Sequence, residues 1–458
     1  MTRLTPEQLV RSALQRRAIE AVIWGMPAVN TDLMYQAMAH EVKGNWNQIV
    51  YWSRLLDWKN QTLTPNPDAI YLMPFFNTVD AGPMVIEVPP ADGGSITGSI
   101  MDCWQTPLED VGPAGVDKGT DGKYLILPPG FSGTVPDGYI ALPSQTYQGY
   151  ALLRSILQSG SDADFAKAVE YGKRIAFYPL SASSTSLAPG AANPSATIYL
   201  DAAGVVFDAT IPYDVRFFES LARMVESQPW LERDRAMIDP LRTLGIEKGK
   251  TFNPDATARE VLNDAAQEAR QWLDMQYEAS LLPPFYEGGH WALPTAPGLM
   301  AGMQSSFADP NHYHRDARGT TYAMAFFCPK HSGSGSYYLM ATKDSEGRPF
   351  QGGSTYRLHV PPNVPVRQYW SATVYDRATH GLVRDMTRAS RSSQSPGLQT
   401  SGDGSVDVYF GSSAPANRES NWVPTSPAGE FEVLFRFYGP EKSLFEKKTW
   451  RLPDIEKA

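Results

Sequence analysis

The spacing of apolar residues changes along the chain, and the changes divide it. Between Thr5 and Ile23, Val10, Ala13, Leu14, Ala18, Ala21 and Val22 recur at helical intervals, which sets them on one face of a helix. Thr5 and Gln8 form a capping box at its start, and Gly25 and Pro27 are expected to end it. Beyond Met73 the period shortens. Met84–Val88, Ile96–Asp102 and Tyr124–Leu127 are β-like runs, divided by Pro89-Pro90, Asp92-Gly93-Gly94 and Asp121-Gly122, as in an antiparallel sandwich.

After Tyr147 helical spacing returns. Helices are expected over 150–157, 162–175, 214–228 and 258–281, the last opened by Thr257 and Glu260 as a capping box. A hairpin pairing Thr197–Leu200 with Val205–Phe207 interrupts them. From about Asn311 alternation resumes in 357–360, 368–375, 406–410 and 431–438, and the polar run 389–404 is expected to be a mobile loop. The pattern predicts a β-rich multidomain protein: an N-terminal helix and β-sandwich over 1–150, a mainly helical region over 151–310, and a C-terminal β-sandwich over 311–458.

Composition agrees with short strands and many turns, because 37 glycines and 37 prolines accompany 11% aromatic residues in 458. A net charge of −9 argues against nucleic-acid binding through a broad basic surface. The two cysteines, Cys103 and Cys328, make no disulfide framework and lack metal-site spacing. No apolar run approaches a membrane span, and the N-terminus opens a helix rather than a signal peptide. A cytoplasmic protein is the default expectation, with periplasm or secretion the alternative if an export signal is removed. A homo-oligomer is compatible with the sequence, but nothing in it sets a symmetry.

The stretch Thr64-Pro65-Asn66-Pro67-Asp68-Ala69-Ile70-Tyr71 is a rigid polar turn leading into a buried strand. It resembles the Thr-Pro-Asn-x-Asp-Thr-x-Tyr signature of domain of unknown function 1254. Gly245–Phe252 is similar to a later part of that family. Asp403–Val406, Asn421–Pro424 and Arg436–Pro440 resemble domain of unknown function 1214. The resemblance implies an immunoglobulin-like N-terminal β-sandwich, a helical middle and a jelly-roll-like C-terminal β-sandwich. It implies little about activity. Ala69 stands where the signature has Thr, so any chemistry carried by that hydroxyl would be lost.

Three groups of residues carry candidate chemistry. Asp68, Asp102 and Tyr71 are candidate catalytic groups, with Asn66 and Trp104 beside them, since a carboxylate among aromatics is placed for acid–base work. Arg388 and Arg391, with Arg384 and neighbouring serines, suit an anionic group. Asn421 and Trp422 are expected to wall a cleft shared with the 64–71 turn. His312 and His314, expected on one strand face, suit a metal only if further ligands join them. Each also has a plain structural reading: a self-bonded turn, a core tryptophan, a solvated loop, surface histidines. Cys103, beside Asp102, is a poor nucleophile. The leading expectation is a cofactor-independent enzyme on a small organic molecule, most simply a hydrolase, in an interdomain cleft. A binding protein for a carbohydrate or lipid-like ligand and a metal-dependent enzyme are the alternatives.

Overall fold

The computed structural model describes residues 3–113, 115–159, 161–182, 197–325, 329–331, 335–447 and 449–458; Cys328 lies outside them. The protein is β-rich with helices, and its strands form several sheets.

The first helix starts as expected, with Thr5 and Gln8 closing a capping box. It does not end at Gly25, however, but runs through Pro27 to Glu41. Proline removes one backbone hydrogen bond from a helix and clashes with the carbonyl four residues before it. Here that carbonyl, Ile23 O, is where Gly319 of helix Arg315–Met324 packs: a Cβ at Gly319 would lie 2.5 Å from it. Burial between Ala18 and Met38 outweighs the break. That stretch packs against Val215–Ser227, Ala256–Ser280 and Arg315–Met324, so one helical core collects segments far apart in sequence. Ala256–Ser280 is capped by Asp255, not Thr257.

In the N-terminal β-region a six-stranded sheet runs in the order 199–201, 48–51, 70–77, 148–155, 96–102, 107–111, and a four-stranded sheet in the order 176–179, 84–88, 122–127, 140–143. Ile49, Leu72, Ile86, Ile100, Ile126 and Leu153 fill the space between them. Two sequence expectations fail here. The segment 150–157 is mostly strand, since Gln148–Ser155 pairs with Ile70–Asn77 on one side and Ile96–Asp102 on the other. Bonding on both edges outweighs the helical preference of its leucines. The expected 197–207 hairpin does not form: Tyr199–Asp201 and Phe207–Asp208 pair in parallel with Gln48–Tyr51 and Asn60–Gln61 instead.

In the C-terminal β-region, which starts at Ser336 and not near Asn311, a sheet in the order 336–341, 431–438, 370–376, 390–392 faces one in the order 422–424, 406–411, 356–360, 456–457. Phe431, Val433, Phe435 and Phe437 point into the core between them. Alternation therefore turns Glu432, Leu434, Arg436 and Tyr438 to the other face. The run 389–404 is not all loop, because Ser390–Ser392 is a strand paired with Trp370–Asp376.

That second face receives the 64–71 turn. Thr64 N–H donates to His380 O at 2.8 Å, and Thr64 O accepts from Arg436 at 3.0 Å. Pro65 O accepts from the Tyr375 hydroxyl at 2.7 Å, and Asn66 Nδ2 donates to the Tyr438 hydroxyl. Asp68 Oδ1 accepts from Ser390 at 2.8 Å. Thr64 takes φ +39° to make this fit, a conformation that costs a β-branched residue about 1–3 kcal/mol and persists only where surroundings enforce it. The turn is thus stitched both to itself, through Asp68 N–H on Asn66 Oδ1 at 3.1 Å, and to the C-terminal sheet.

Candidate functional site

Each β-region brings one arginine–tyrosine pair to the junction. Tyr71 and Arg154 are cross-strand partners in the N-terminal sheet, and Tyr338 and Arg436 are cross-strand partners in the C-terminal one. Arg154 Nε donates to the Tyr71 hydroxyl at 2.9 Å. Arg436 Nη1 donates to Thr373 Oγ1 at 2.8 Å, and its Nη2 to the Tyr375 hydroxyl. All four members line one cavity of about 630 Å³ including its opening to solvent, closed elsewhere by Met34, Leu56, Met73 and Leu434. Only about 30 Å³ of it admits the centre of a water molecule, which is room for a few atoms.

The charges in this cavity are one-sided. Among the described residues neither arginine makes an ion pair. Burial works against both charges, and the groups that hold them protonated are tyrosine hydroxyls: Tyr71, Tyr338 and Tyr438 for Arg154, and Tyr375, Tyr438 and Tyr338 for Arg436. The tyrosines respond unequally. Burial pushes Tyr369, Tyr375 and Tyr438 up. Burial also raises Tyr338, but Arg154 and Arg436 outweigh it and hold this phenol below the ordinary tyrosine range. Asp68, at the edge of the cluster, is raised by burial, with Ser390, Arg436 and Ser371 pulling it partly back. Its Oδ2 and the Ser371 hydroxyl are both buried, close enough to act on each other but without a hydrogen bond of ordinary geometry.

Asp102 and Trp104 belong elsewhere. Asp102 Oδ1 accepts backbone N–H groups of Trp104 at 2.9 Å and Thr106 at 2.8 Å, and the Trp104 ring packs 4.7 Å from that of Trp24 in the helical core. Burial raises the Asp102 carboxyl, and Arg233 and Arg318 offset this in part. Burial, with Asp102 beside it, pushes the Cys103 thiol well up.

The loop candidates are also separate from the cavity lining. Arg388 donates to the carbonyls of Glu419 at 2.9 Å and Trp422 at 3.4 Å, and Arg384 pairs with Asp208 at 2.6 Å. Arg391 sits opposite Ala372 with its Nε buried and unpartnered. Asn421 ties Gln399 to Asp407, and Trp422 Nε1 donates to Gly411 O at 2.8 Å. His312 and His314 do not share a strand. His314 precedes helix Arg315–Met324 at φ +53°, and exposed His312 lies 3.7 Å from Asp309. Among the described residues no group of three His, Cys, Asp or Glu side chains is arranged to hold a metal.

Sequence reading passed over Arg154 and Tyr338. The readable signal lies in Phe431–Tyr438, where alternation sends four apolar residues to the core and leaves Glu432 and Arg436 on the other face, yet every residue of the strand is buried. Charges on the second face of such a strand mark a polar junction.

Residues 46–179 match the protein family of unknown function DUF1254, and residues 335–442 match DUF1214, also of unknown function. The two matches stand in one chain in that order, a two-domain arrangement. Among solved structures it is similar to the VPA0106 protein of Vibrio parahaemolyticus, with a TM-score of 0.55 at 18% identity over 97% of this chain and 100% of that one. That likeness concerns the fold alone. A putative uncharacterized protein from Burkholderia cenocepacia matches with a TM-score of 0.42 at 12% identity, covering 98% of this chain and 94% of that one. No curated protein matches.

Proposed function

We propose that the cavity between the β-regions binds a small organic anion and that Tyr338 transfers a proton on it, hydrolysis being the favoured reaction. The observation that carries this reading is the pair of buried guanidiniums opposed by tyrosines rather than carboxylates. A buried charge is costly unless paired, and a ligand carboxylate accepting from the guanidinium forks supplies the pairing. Tyr338, held low by both arginines, is ionised at neutral pH more often than an ordinary tyrosine, and its phenolate is then available as a base. In hydrolysis its phenolate takes a proton from water, the hydroxide adds to the acyl carbon, and the phenol returns the proton to the leaving group. No cofactor enters this scheme. Asn66 and Asp68 fasten the 64–71 turn, whose Thr64, Pro65 and Tyr71 line the cavity, to Tyr438 and Ser390.

The narrow free space favours a ligand of few atoms over a carbohydrate or lipid, and it keeps a second reading in play, a non-catalytic binder of the same anion. On the fold, two facing four-stranded sheets have the strand count of a jelly roll, and the two N-terminal sheets have the layering of an immunoglobulin-like sandwich.

Calorimetry with acetate and malonate, together with turnover of short carboxylate-bearing esters and amides, separates the readings. Arg436→Met is expected to abolish binding. Tyr338→Phe is expected to lower kcat by about 100-fold or more while binding persists. Binding without turnover of any substrate leaves the binder; no binding by the wild type ends both.

A further inference from the structure

A second group of polar residues lies apart from that cavity. Tyr375 and Glu432 are cross-strand partners in the C-terminal sheet, and Glu432 is completely buried. One Glu432 oxygen accepts from the Tyr277 hydroxyl at 2.9 Å, and the other meets His380 Nδ1 at 2.8 Å. Arg377 Nε stands 4.0 Å away, which balances the carboxylate. His380 is fixed from its backbone as well. Its N–H donates to Asp376 O at 2.8 Å, its carbonyl accepts from Thr64, and it is held at φ +55°, where a non-glycine residue sits under strain.

The carboxylate fixes the tautomer: Nδ1–H points to Glu432, so Nε2 carries the lone pair. Nε2 has no hydrogen-bond partner among the described residues. The imidazole, 8% exposed as a side chain, lines a cleft of about 610 Å³ including open solvent, between helices Val215–Ser227 and Ala256–Ser280 and the 378–380 turn. Arg216 in that cleft is held by Asp214 at 2.6 Å. Arg270 is not so held: it donates to Ala378 O at 3.0 Å, stacks over Tyr213, and makes no ion pair among the described residues. A basic nitrogen backed by a carboxylate, beside an unpaired guanidinium, is the constellation for proton transfer on an anion.

We propose that His380, oriented by Glu432, is a second proton-transfer site, serving a small hydroxyl-bearing or acyl-bearing anion whose charge rests on Arg270. Nε2 takes the proton of the ligand hydroxyl or of an attacking water. As that oxygen bonds to the acyl carbon, the imidazolium that forms is balanced by Glu432, and the same proton passes to the oxygen that leaves when the acyl C–O bond breaks; the water route consumes one water and the hydroxyl route none. The site is independent of Tyr338, because Glu432 and Arg436 lie four residues apart on one strand face, about 13 Å.

Diethyl pyrocarbonate acylates unprotonated imidazole, and mapping its adducts on the full-length protein tests the assignment. His380 is expected to be acylated despite its burial, at a rate that inorganic phosphate slows at least several-fold and that Glu432→Gln lowers. Arg270→Gln, at a cleft-lining position outside the dyad, is expected to remove the phosphate protection while His380 still reacts. An inert His380 alongside reactive His312 overturns the proposal, and so does acylation of His380 that phosphate does not slow. Neither outcome bears on anion binding at Arg436, so the two sites fail separately.

Discussion

Among the described residues two pairs of arginines, each with one fully buried member, Arg318 or Arg436, can be compared. Arg233 and Arg318, in the helical core, have carboxylates nearby as well as tyrosines: Arg233 lies 3.5 Å from Asp234, both arginines act on Asp102, and Tyr313 and Tyr322 act on Arg318 ahead of either aspartate. Arg318 is further capped by the Tyr313 hydroxyl at 2.8 Å and spread over the Phe307 ring at 4.1 Å. Arg154 and Arg436, at the junction of the β-regions, face tyrosines, and Asp68 is the nearby carboxylate, bonded to Ser390. The first pair includes one ion pair with a carboxylate, although Arg233 Nε and Nη2 and Arg318 Nε are buried without a hydrogen-bond partner. The second makes no ion pair among the described residues, and the anion site proposed above rests on that difference. Burial alone therefore does not separate the two; the sign of the surroundings does.

The largest expected effect tests that contrast directly. Arg318→Met removes a buried guanidinium that offsets Asp102 and bonds the Trp104 carbonyl and the Tyr313 hydroxyl, and should cost about 3–5 kcal/mol in denaturant unfolding. Arg436→Met removes a charge that makes no ion pair among the described residues and that Asp68 offsets only from a distance. It leaves the Thr64 carbonyl without its donor, so a loss within about 1–3 kcal/mol is expected, together with loss of anion binding. Equal losses for the two variants would make Arg436 as structural as Arg318 and erase the distinction. Next in size is the response to ligand. An anion held at about 100 times its Kd should stabilise the wild type by about 2.7 kcal/mol, and Arg436→Met should show none of it. Arg318→Met, once its lower baseline is allowed for, should show all of it.

How far the sequence foretold this depends on which contacts decide each piece. Local chemistry was legible: the Thr5 cap, the strand 431–438 and the stiffness of the 64–71 turn all follow from neighbours in sequence. Long-range compensation was not. Pro27 reads as a helix terminator because the packing that carries the helix through it comes from residues such as Gly319 and Leu221. The leucines of 148–155 read as helix because the two strands that claim its edges lie elsewhere in the chain. The site shows the same division. Tyr71 and Asp68 stood out within one turn, whereas Arg154 gains its meaning only from the register that sets it opposite Tyr71. Ala69 is fully buried in an apolar cluster with Val50, Trp52 and Leu56.

The two aspartates allow a subtler test, because burial raises both from the ordinary value of 3.8. A carboxyl whose folded pKa is raised favours folding while protonated. Its contribution is lost as pH climbs from the unfolded value through the folded one. Asp68→Asn and Asp102→Asn should each flatten the fall of wild-type stability above about pH 4. Their effects on the cavity should differ. Asp68 acts on Arg436, so removing its charge should tighten acetate binding at neutral pH by a few-fold, while Asp102→Asn leaves binding unaltered. Identical binding in both variants would show that Asp68 does not act on the cavity.

The smallest effect on stability is expected at Tyr338, and it is the one that reports most directly on the field of the two arginines. A phenol whose folded pKa is depressed adds stability only above its unfolded value, near 10, and loses that contribution as pH falls through the folded value. At pH 7 the phenol is neutral in the unfolded chain. Tyr338→Phe then forfeits chiefly the hydrogen bond from the Ser336 hydroxyl, 2.8 Å long, for a cost of about 1 kcal/mol. Ultraviolet titration shows the rest. Of the 22 tyrosines, Tyr338 should ionise ahead of the ordinary range, while Tyr369, Tyr375 and Tyr438 ionise late because burial raises them. Tyr338→Phe should delete the early step, and Arg436→Met should move it upward by removing one of the two charges that create it. Arg318→Met should leave it in place, since that guanidinium serves the other pair. A tyrosine titration without an early step in the wild type would mean that the guanidiniums are neutralised from a source other than the phenols, and the cavity would then have no charge to offer an anion.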